Sequence, residues 1–252
     1  MSDEVVGGPW SIDAPTRHAV VLELIQELLR AGNLEDAVAA CEELLDENPD
    51  CTEALLIIAD TAPRYAHGEV GVLAARQARA RGVAAATLEA AALLAACEVE
   101  TALALATETT LQTPADARAW AVRGQALELM GRMGEADDAL AEAARLDRER
   151  FPELMRLDDS AWDRAVLTGL SQLSAQERDR LSPWTLEFCD VPPLELLRRA
   201  QPPVPPSASA LCESLTGGRL YLFRRNLARG CRDENEVVAR VVLALVDESL
   251  GL

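Results

Sequence analysis

The residues that could do chemistry are few and scattered. The chain has two histidines, His18 and His67, and neither stands at a zinc-site spacing from another ligand-type residue. The six cysteines include no C-x-x-C pair, which excludes a zinc knuckle and a thioredoxin-like motif; they are Cys41, Cys51, Cys97, Cys189, Cys212 and Cys231. A cysteine nucleophile needs a histidine base, and we expect both histidines on a helix surface or turn. The pattern predicts buried free thiols and no cofactor or metal.

Two adjacent carboxylates, Asp247 and Glu248, lie near the end of the chain. Neighbouring side chains on a helix point about 100° apart and do not form a paired acid/base site by themselves. No Walker-type phosphate loop and no G-x-S-x-G elbow occurs, and Thr216-Gly217-Gly218 is an isolated turn before a predicted strand. The sequence favours a protein that is not an enzyme, with a peptidase of unfamiliar site or a carboxylate hydrolase as the alternative.

Small residues recur at a fixed period in the first half of the chain. The segment ARAWAVRGQALELMGRMGEADDALAEAARLDRER begins at Ala117 and places a bulky residue, a small one, a turn and two more small ones in order. These positions are Trp120, Gly124, Gly131, Ala136 and Ala143. Because small side chains let two helices approach closely, the segment predicts a helical hairpin, with Gly131 and Gly134 bracketing the turn.

The same register appears from His18 to Cys51, where Ala31-Gly32-Asn33 forms the turn and Pro49 ends the second helix. Residues 52–116 have room for two weaker copies. Pro63 falls inside the first helix of the second copy and should kink or end it, because proline lacks an N–H and clashes with the preceding turn. We therefore expect two regular outer hairpins and two irregular inner ones.

On these motifs, residues 17–150 resemble the tetratricopeptide-repeat (TPR) family, after an N-terminal tail at residues 1–16. The resemblance implies a right-handed α-α superhelix of about four stacked hairpins, whose concave groove accepts a peptide or a helix. Family members that grip a C-terminal carboxylate use Lys and Asn where Leu22 and Gln26 stand here, so we do not expect that ligand class in the groove. The residues predicted to line it are Leu22, Gln26, Leu29, Arg30, Glu53, Leu56, Asp60, Arg64, Arg118 and Gln125.

A different pattern begins after Arg150, where Phe151-Pro152 breaks the helical run. Residues 151–252 alternate predicted helices and strands, which indicates a small α+β domain. The predicted elements are a helix over Ser160–Leu173 capped by Asp159 or Ser160, a helix from Ser174 with Glu177 in a capping box, a strand over Trp184–Val191, a helix over Leu194–Arg199, a strand over Arg219–Arg224 and a helix over Glu234–Leu250. The Pro-rich run Gln201–Pro206 reads as a stiff surface loop, with a ligand for a Pro-reading domain as the alternative.

A second resemblance rests on RLYLFRRNLARGC (Arg219–Cys231), on VVARVVLALVDESLGL (Val237–Leu252) and on LSPWTLEFCDVPP. These segments are similar to the bacterial zincin-like metallopeptidase domain, in which a strand and an Arg-rich turn precede a helix bearing His-Glu-x-x-His. That chemistry needs two imidazoles at i and i+4 to hold a metal, and a glutamate to activate water. The ligand positions fall on Ala244 and Glu248 and the base position on Leu245, so the resemblance implies a degenerate, inactive domain.

The charge is concentrated in the first half of the chain. Of a net charge of -18, residues 1–150 hold 27 acidic and 12 basic residues, a net of -15. Such a surface repels phosphate backbones and anionic lipids, which argues against nucleic acid and membrane partners. The N-terminus has neither the basic nor the apolar region of a signal peptide, and no apolar run approaches the ~18 residues that span a bilayer. We expect a cytoplasmic, bacterial-type protein.

The mainly α chain is therefore interpreted as a protein-interaction adaptor or scaffold. Its repeats would capture another protein as a peptide or helix, while the zincin-like pseudoenzyme domain would cap the array or add a second binding face. The alternative is a cytoplasmic chaperone for a secreted or assembling protein. The sequence leaves the oligomeric state open.

Overall fold

A computed structural model describes residues 14–65, 67–200, 204–213 and 218–250. This part of the chain is mainly helical and has a small sheet in its second half. The helices are α1 (Ala14–Ala31), α2 (Leu34–Glu47), α3 (Thr52–Thr61), α4 (Gly68–Ala80), α5 (Ala86–Ala95), α6 (Val99–Gln112), α7 (Ala117–Leu129), α8 (Met133–Leu146), α9 (Asp159–Gln172), α10 (Ala175–Leu181), α11 (Leu194–Arg199), α12 (Arg224–Ala228) and α13 (Glu234–Leu250). The strands are β1 (Trp184–Cys189), β2 (Ala210–Cys212) and β3 (Gly218–Phe223).

Helices α1–α8 form four consecutive antiparallel hairpins. Each hairpin buries small or aliphatic residues at helical spacing, as α2 does with Ala37, Val38, Cys41 and Leu44. One buried cluster joins the first two hairpins, and a second joins the third hairpin to Val72 and to α7. The hairpins thus bury their apolar faces against one another, which confirms the predicted succession of helix pairs.

Glycine makes the turn in the first and last hairpins. Gly32 and Gly131 have φ values of +80° and +74°, a left-handed conformation that glycine adopts without steric cost. Cys97 stands at the corresponding turn of the third hairpin with a φ of +60°. The turns at Gly32 and Gly131 are confirmed, but Gly134 lies within α8, which begins at Met133, and does not bracket the turn. The turn at Cys97 has a cysteine where the other two have glycine.

The second hairpin is irregular at its turn. Helix α3 ends at Thr61, and a 3₁₀ turn over Ala62–Tyr65 contains Pro63. Proline cannot donate the N–H that an α-helix needs at this position. The prediction that Pro63 ends the first helix of this hairpin is confirmed.

Helix α1 begins earlier than predicted. It starts at Ala14, inside the segment that was assigned to an N-terminal tail at residues 1–16. Pro15 is compatible with this start, because the first turn of a helix has no intrahelical partner for its N–H groups.

Helix α4 approaches the end of α5 very closely at Gly68. A Cβ atom added to Gly68 would lie 2.3 Å from the backbone N of Ala96 and 2.7 Å from the carbonyl carbon of Ala95. Since backbone atoms cannot move aside as a flexible side chain can, only glycine fits here. The second and third hairpins depend on this contact for their spacing.

An ion-pair cluster also joins α4 to α5. The buried carboxylate of Glu89, 5% exposed, accepts a hydrogen bond from Arg76 Nε at 2.9 Å and pairs with Arg79. Burial opposes ionisation of Glu89, but the hydrogen bonds and charges of the two guanidinium groups outweigh it and lower the pKa of this carboxyl.

The second half is built on a three-stranded sheet of order β1-β3-β2. Strands β1 and β3 are parallel, with Trp184 opposite Gly218 and Cys189 opposite Phe223, and β2 is antiparallel to β3. Helices α9 and α13 pack together, and their buried residues join Leu220 and Leu222 in one core. The strands and helices confirm the α+β pattern of this half.

Several element boundaries in this half differ from the predictions. Helix α9 is capped by Asp158, whose Oδ1 accepts from the Ala161 N–H at 2.7 Å, and not by Asp159 or Ser160. The segment after Phe223 is helical, so the second predicted strand ends before Arg224. Strand β2 was not predicted, because three residues are too few for an alternating pattern. The capping box of Ser174 and Glu177, and the bounds of α11 and α13, are confirmed.

Some predictions fall outside the described residues. These are Gln201–Pro203 of the Pro-rich run and Thr216-Gly217, and the side chains of Asp247 and Glu248 are likewise not described.

Replacing Gly68 with alanine should destabilise the protein by about 2 to 3 kcal/mol, because the new Cβ would force the backbones of α4 and α5 apart. Gly134→Ala in α8 is the matched control, since nothing lies within 4 Å of its Cβ position; it should leave stability unchanged or raise it by about 0.5 to 1 kcal/mol. Urea denaturation measures both changes. Equal stabilities of the two variants would contradict the close approach.

Glu89→Gln should lower stability by about 1 to 3 kcal/mol at pH 7, because it removes charge-assisted hydrogen bonds from a buried site. The folded-state pKa of Glu89 is lowered, so its contribution is complete above the ordinary pKa of 4.5 and is lost as the pH falls through the folded-state value. The difference in unfolding free energy between the two proteins should therefore be constant above about pH 5 and shrink below it. A difference that persisted unchanged to pH 2 would show that Glu89 is not held as a carboxylate.

Candidate protein-binding surface

The predicted groove residues of α1 divide into two kinds. Leu22 and Leu29 are half-buried and pack against the core of the first two hairpins. Gln26 and Arg30 are exposed, and Arg30 Nη2 donates to Gln26 Oε1 at 3.4 Å. Helix α1 thus presents partly covered leucines next to two exposed polar side chains.

The first two predicted groove residues of α3 also combine an exposed polar side chain with a half-buried leucine. Glu53 is exposed, and Leu56 is half-buried against the core that contains Leu22 and Leu29. The last of them, Asp60, is engaged by two arginines. Arg64 Nη2 donates to Asp60 Oδ2 at 2.6 Å, and Arg118 pairs with Asp60 Oδ1.

The pair between Asp60 and Arg118 joins α3 to α7 across the intervening hairpin. Arg118 is 19% exposed and Asp60 is 30% exposed, so the pair is better shielded from water than an ordinary surface ion pair. The structure brings Asp60, Arg64 and Arg118 together. Both arginines are already engaged by a carboxylate of the same chain.

Gln125 lies at a contact between the two halves of the chain. It lines a narrow cleft together with Pro192, Pro206 and Asn226 from the second half. The side-chain amide of Asn226 donates to the carbonyl oxygens of Pro206 and Ala208 at 2.9 and 2.7 Å, which holds this loop in place. The end of α7 is therefore partly covered by the chain itself.

Helix α11 lies over the turns of the second and third hairpins. Leu194 packs against the core of the third hairpin, and Arg198 Nη2 donates to the carbonyl oxygen of Cys97 at 3.3 Å. A cleft of about 370 Å³ separates Leu197 and Arg198 from His67 and Gly68. The second half of the chain thus covers the edge of the array where these hairpins turn.

A buried glutamate holds the two halves together. Glu128 of α7 is 3% exposed; its Oε1 accepts from Arg225 Nε at 2.6 Å and its Oε2 accepts from Arg229 Nη2 at 2.7 Å. Asp137 of α8 binds the other side of Arg225 and also pairs with Arg156. Burial disfavours the Arg225 charge, but the hydrogen bonds to Asp137 and Glu128 outweigh it and raise the pKa of its guanidinium. We call Glu128, Asp137, Arg225 and Arg229 the interhalf clamp.

Sequence reasoning missed the interhalf clamp. Two local signals were present. One was a glutamate flanked by Leu127 and Leu129 on a helix. The other was a pair of arginines four residues apart, at 225 and 229, which lie on one face if that segment is helical. Neither pattern identifies its partner, because the pairing spans 97 residues of sequence between Glu128 and Arg225.

Four of the cysteine thiols lie in settings that do not activate them. Burial raises the pKa of the Cys41 thiol to about 12, and burial also raises the pKa of Cys97, Cys189 and Cys231, whereas reactive thiols have lowered values. His18 is half-buried, with its Nε2 3.2 Å from Asn48 Nδ2, and His67 is exposed just before α4. No cluster of three or more metal-ligating side chains occurs in the part of the chain that the structure describes.

The positions compared with a metallopeptidase helix lie in the core. Ala244 is 8% exposed and Leu245 is fully buried, and both belong to the cluster formed by α9, α13 and the sheet. Their side chains pack against other apolar groups instead of lining a cleft. The side chain of Glu248 is outside the described residues. Among the described helices, none is both long and apolar enough to cross a membrane.

No family model matches the chain, and no curated protein matches it. Solved structures do match. "MamA RS-1 ArsTM double mutant" is 22% identical, covers 52% of this chain and 76% of its own, and gives a TM-score of 0.44. "Crystal structure of MamA protein" is 19% identical; the match covers 57% of this chain and 81% of that one, with a TM-score of 0.44. A thermophilic TPR protein of Thermus thermophilus is 21% identical; the match covers 66% of this chain and 87% of that one, with a TM-score of 0.46. At these values the likeness concerns the fold alone.

Glu128→Gln should destabilise the protein by about 3 kcal/mol, because removing one partner of a buried ion cluster leaves the other charges uncompensated. Amide hydrogen exchange over residues 224–229 should also become faster. Glu135→Gln is the matched control, since Glu135 forms an exposed ion pair with Arg132 on α8 and should have no measurable effect. If Glu128→Gln had the stability and exchange of the unmodified chain, the clamp would not hold the halves together.

Proposed function

We propose that this chain is a non-catalytic protein-interaction scaffold that binds its partner on the inner surface of the first two hairpins. This inner surface is defined by Leu22, Gln26, Leu29, Arg30, Glu53 and Leu56. The observation that carries the proposal is that half-buried leucines of α1 and α3 lie beside exposed polar side chains of the same helices. A surface of this kind combines apolar contact area with polar groups that set orientation.

Binding is limited to the first two hairpins for a physical reason. Farther along the array, Arg118 is paired with Asp60, Gln125 faces the second half of the chain, and α11 covers the turn of the third hairpin. A partner would have to displace these internal contacts to bind there. The inner surface of α1 and α3 offers polar side chains without that cost.

The chemistry of the partner follows from charge and shape. The net charge of -15 over residues 1–150 favours a neutral or basic protein segment over nucleic acid or an anionic membrane. A peptide or an amphipathic helix could place apolar side chains against Leu22, Leu29 and Leu56.

We further propose that the second half is a metallopeptidase-type scaffold that has lost its site and serves as a cap. This proposal rests on the sequence resemblance of Arg219–Cys231 and Val237–Leu252, in which the apolar side chains of Ala244 and Leu245 stand where a metal ligand and a base would be. The interhalf clamp supports the capping role.

A photo-crosslinking amino acid at Gln26 or Glu53 of the full-length chain should capture a protein partner in the source cell. The same amino acid at Glu43, an exposed position on the outer helix of the first hairpin, is the matched control and should capture it at least tenfold less. Mass spectrometry of the crosslinked products identifies both the partner and its attached segment. Capture that is equal at Glu43, or that occurs only through the second half, would contradict the proposed surface.

The identity of the captured protein separates the two roles that this surface could serve. A partner that carries an export signal, or that is bound only before it assembles, would point to a chaperone. A partner bound in its mature, assembled state would point to a scaffold. Cytoplasmic localisation is part of both proposals and is tested by fractionating the same cells.

A further inference from the structure

Another cleft lies in the α+β half, away from the inner surface of the hairpins. It has a volume of about 340 Å³ and lies beyond the ends of the parallel strands β1 and β3. Asp190 follows β1 directly and Arg224 follows β3 directly, and both line the cleft. Parallel strands bring the residues after their carboxyl ends to one edge of a sheet, where open α/β sheets bind their ligands.

Two side chains that line this cleft each carry a buried hydrogen-bond donor that lacks an acceptor within the described part of the chain. Trp162 Nε1 and Arg224 Nε are buried, and neither has a hydrogen-bond partner among the described residues. Trp162 is 2% exposed. Its ring stands edge-on to the ring of Phe188, with the two ring centres 6.2 Å apart, and this contact fixes the plane of the indole. The Arg224 guanidinium lies 5.7 Å from the centre of the same ring. Because a buried N–H without a partner costs free energy, an acceptor that enters the cleft would be favoured.

The charges around the cleft single out Arg224 as the group that could hold an anion. Arg225 is already bound to Glu128 and Asp137 in the interhalf clamp and is 15% exposed. Among the described residues Arg224 pairs only with Asp159, at 2.9 Å, and Asp159 is 90% exposed. An ion pair with so exposed a partner contributes little, so a carboxylate from outside could replace Asp159 on Arg224.

Apart from Arg156, which pairs with Asp137, the remaining wall of the cleft is apolar. Leu154, Met155, Leu157 and Ala228 line it beside the Trp162 ring. Small-molecule sites commonly combine an apolar wall with a few polar groups that fix the orientation of the ligand. An aliphatic group could occupy this wall while its carboxylate reaches the two free donors.

We propose that this cleft binds an aliphatic carboxylate, either the C-terminal residue of a peptide or a free carboxylic acid of similar size. One carboxylate oxygen accepts from Trp162 Nε1 and the carboxylate pairs with Arg224, releasing Asp159 to solvent. The aliphatic group contacts Leu154 and Leu157. This site is independent of the inner surface of α1 and α3, so either proposal can fail without the other.

The test is a titration of the full-length chain followed by the indole N–H signals of its four tryptophans, with Trp162→Phe assigning the signal of Trp162. The probes are N-acetyl-leucine, a hexapeptide ending in leucine, and the carboxamide form of each. We expect a saturable downfield shift of the Trp162 indole proton with the carboxylates and at least tenfold weaker binding of the carboxamides. Binding of the hexapeptide alone would assign the site to peptide C-termini, and equal binding of both carboxylates would assign it to small acids.

Two substitutions should change the affinity in opposite directions. Arg224→Gln should weaken carboxylate binding at least tenfold. Asp159→Asn removes the competing carboxylate at a position too exposed to affect folding and should tighten binding several-fold, which a merely structural role of Arg224 would not produce. A Trp162 indole signal that moves with none of the probes, carboxamides that bind as well as carboxylates, or an Asp159→Asn variant that binds no more tightly would each overturn the proposal.

Discussion

Three carboxylates, each held between two guanidinium groups, join different helices of this protein. Glu89 is paired with Arg76 and Arg79, Asp60 with Arg64 and Arg118, and Glu128 with Arg225 and Arg229. They link α4 to α5, α3 to α7, and the hairpins to the α+β half. The chain has no lysine, and the flat guanidinium fork suits a carboxylate that is shared and shielded from water. Since a buried carboxylate without its partners would be costly, each cluster favours one arrangement of the helices around it.

The placement of the α+β half follows from the last of these clusters. With Arg225 and Arg229 bound to Glu128, α11 lies across the hairpin turns and contacts the carbonyl of Cys97. The end of α7 is covered, while the inner residues of α1 and α3 keep their half-buried leucines and exposed polar groups. The proposed binding surface is thus the part of the array that the chain does not cover with its own second half.

Local features of the sequence predicted most of the secondary structure. The spacing of small residues and the turns at Gly32 and Gly131 predicted the outer hairpins, and the bounds of α11 and α13 agree with their capping and apolar patterns. Strand β2 and helix α12 were missed because each is too short to carry a periodic signal. For the site, the pattern placed Asp60, Arg64 and Arg118 on one surface, but it could not show that they pair with one another. The Glu128 cluster was missed because its pairing depends on tertiary structure, which local patterns do not encode.

A partner that binds as proposed would contact α1 and α3 while the α+β half stays attached to the hairpins. Hydrogen exchange of the full-length chain, measured with and without its captured partner, tests both parts of this proposal. We expect slower exchange in residues 18–31 and 52–61 on binding, with no change over residues 224–229. Protection confined to the second half, or faster exchange over residues 224–229 when the partner binds, would contradict it.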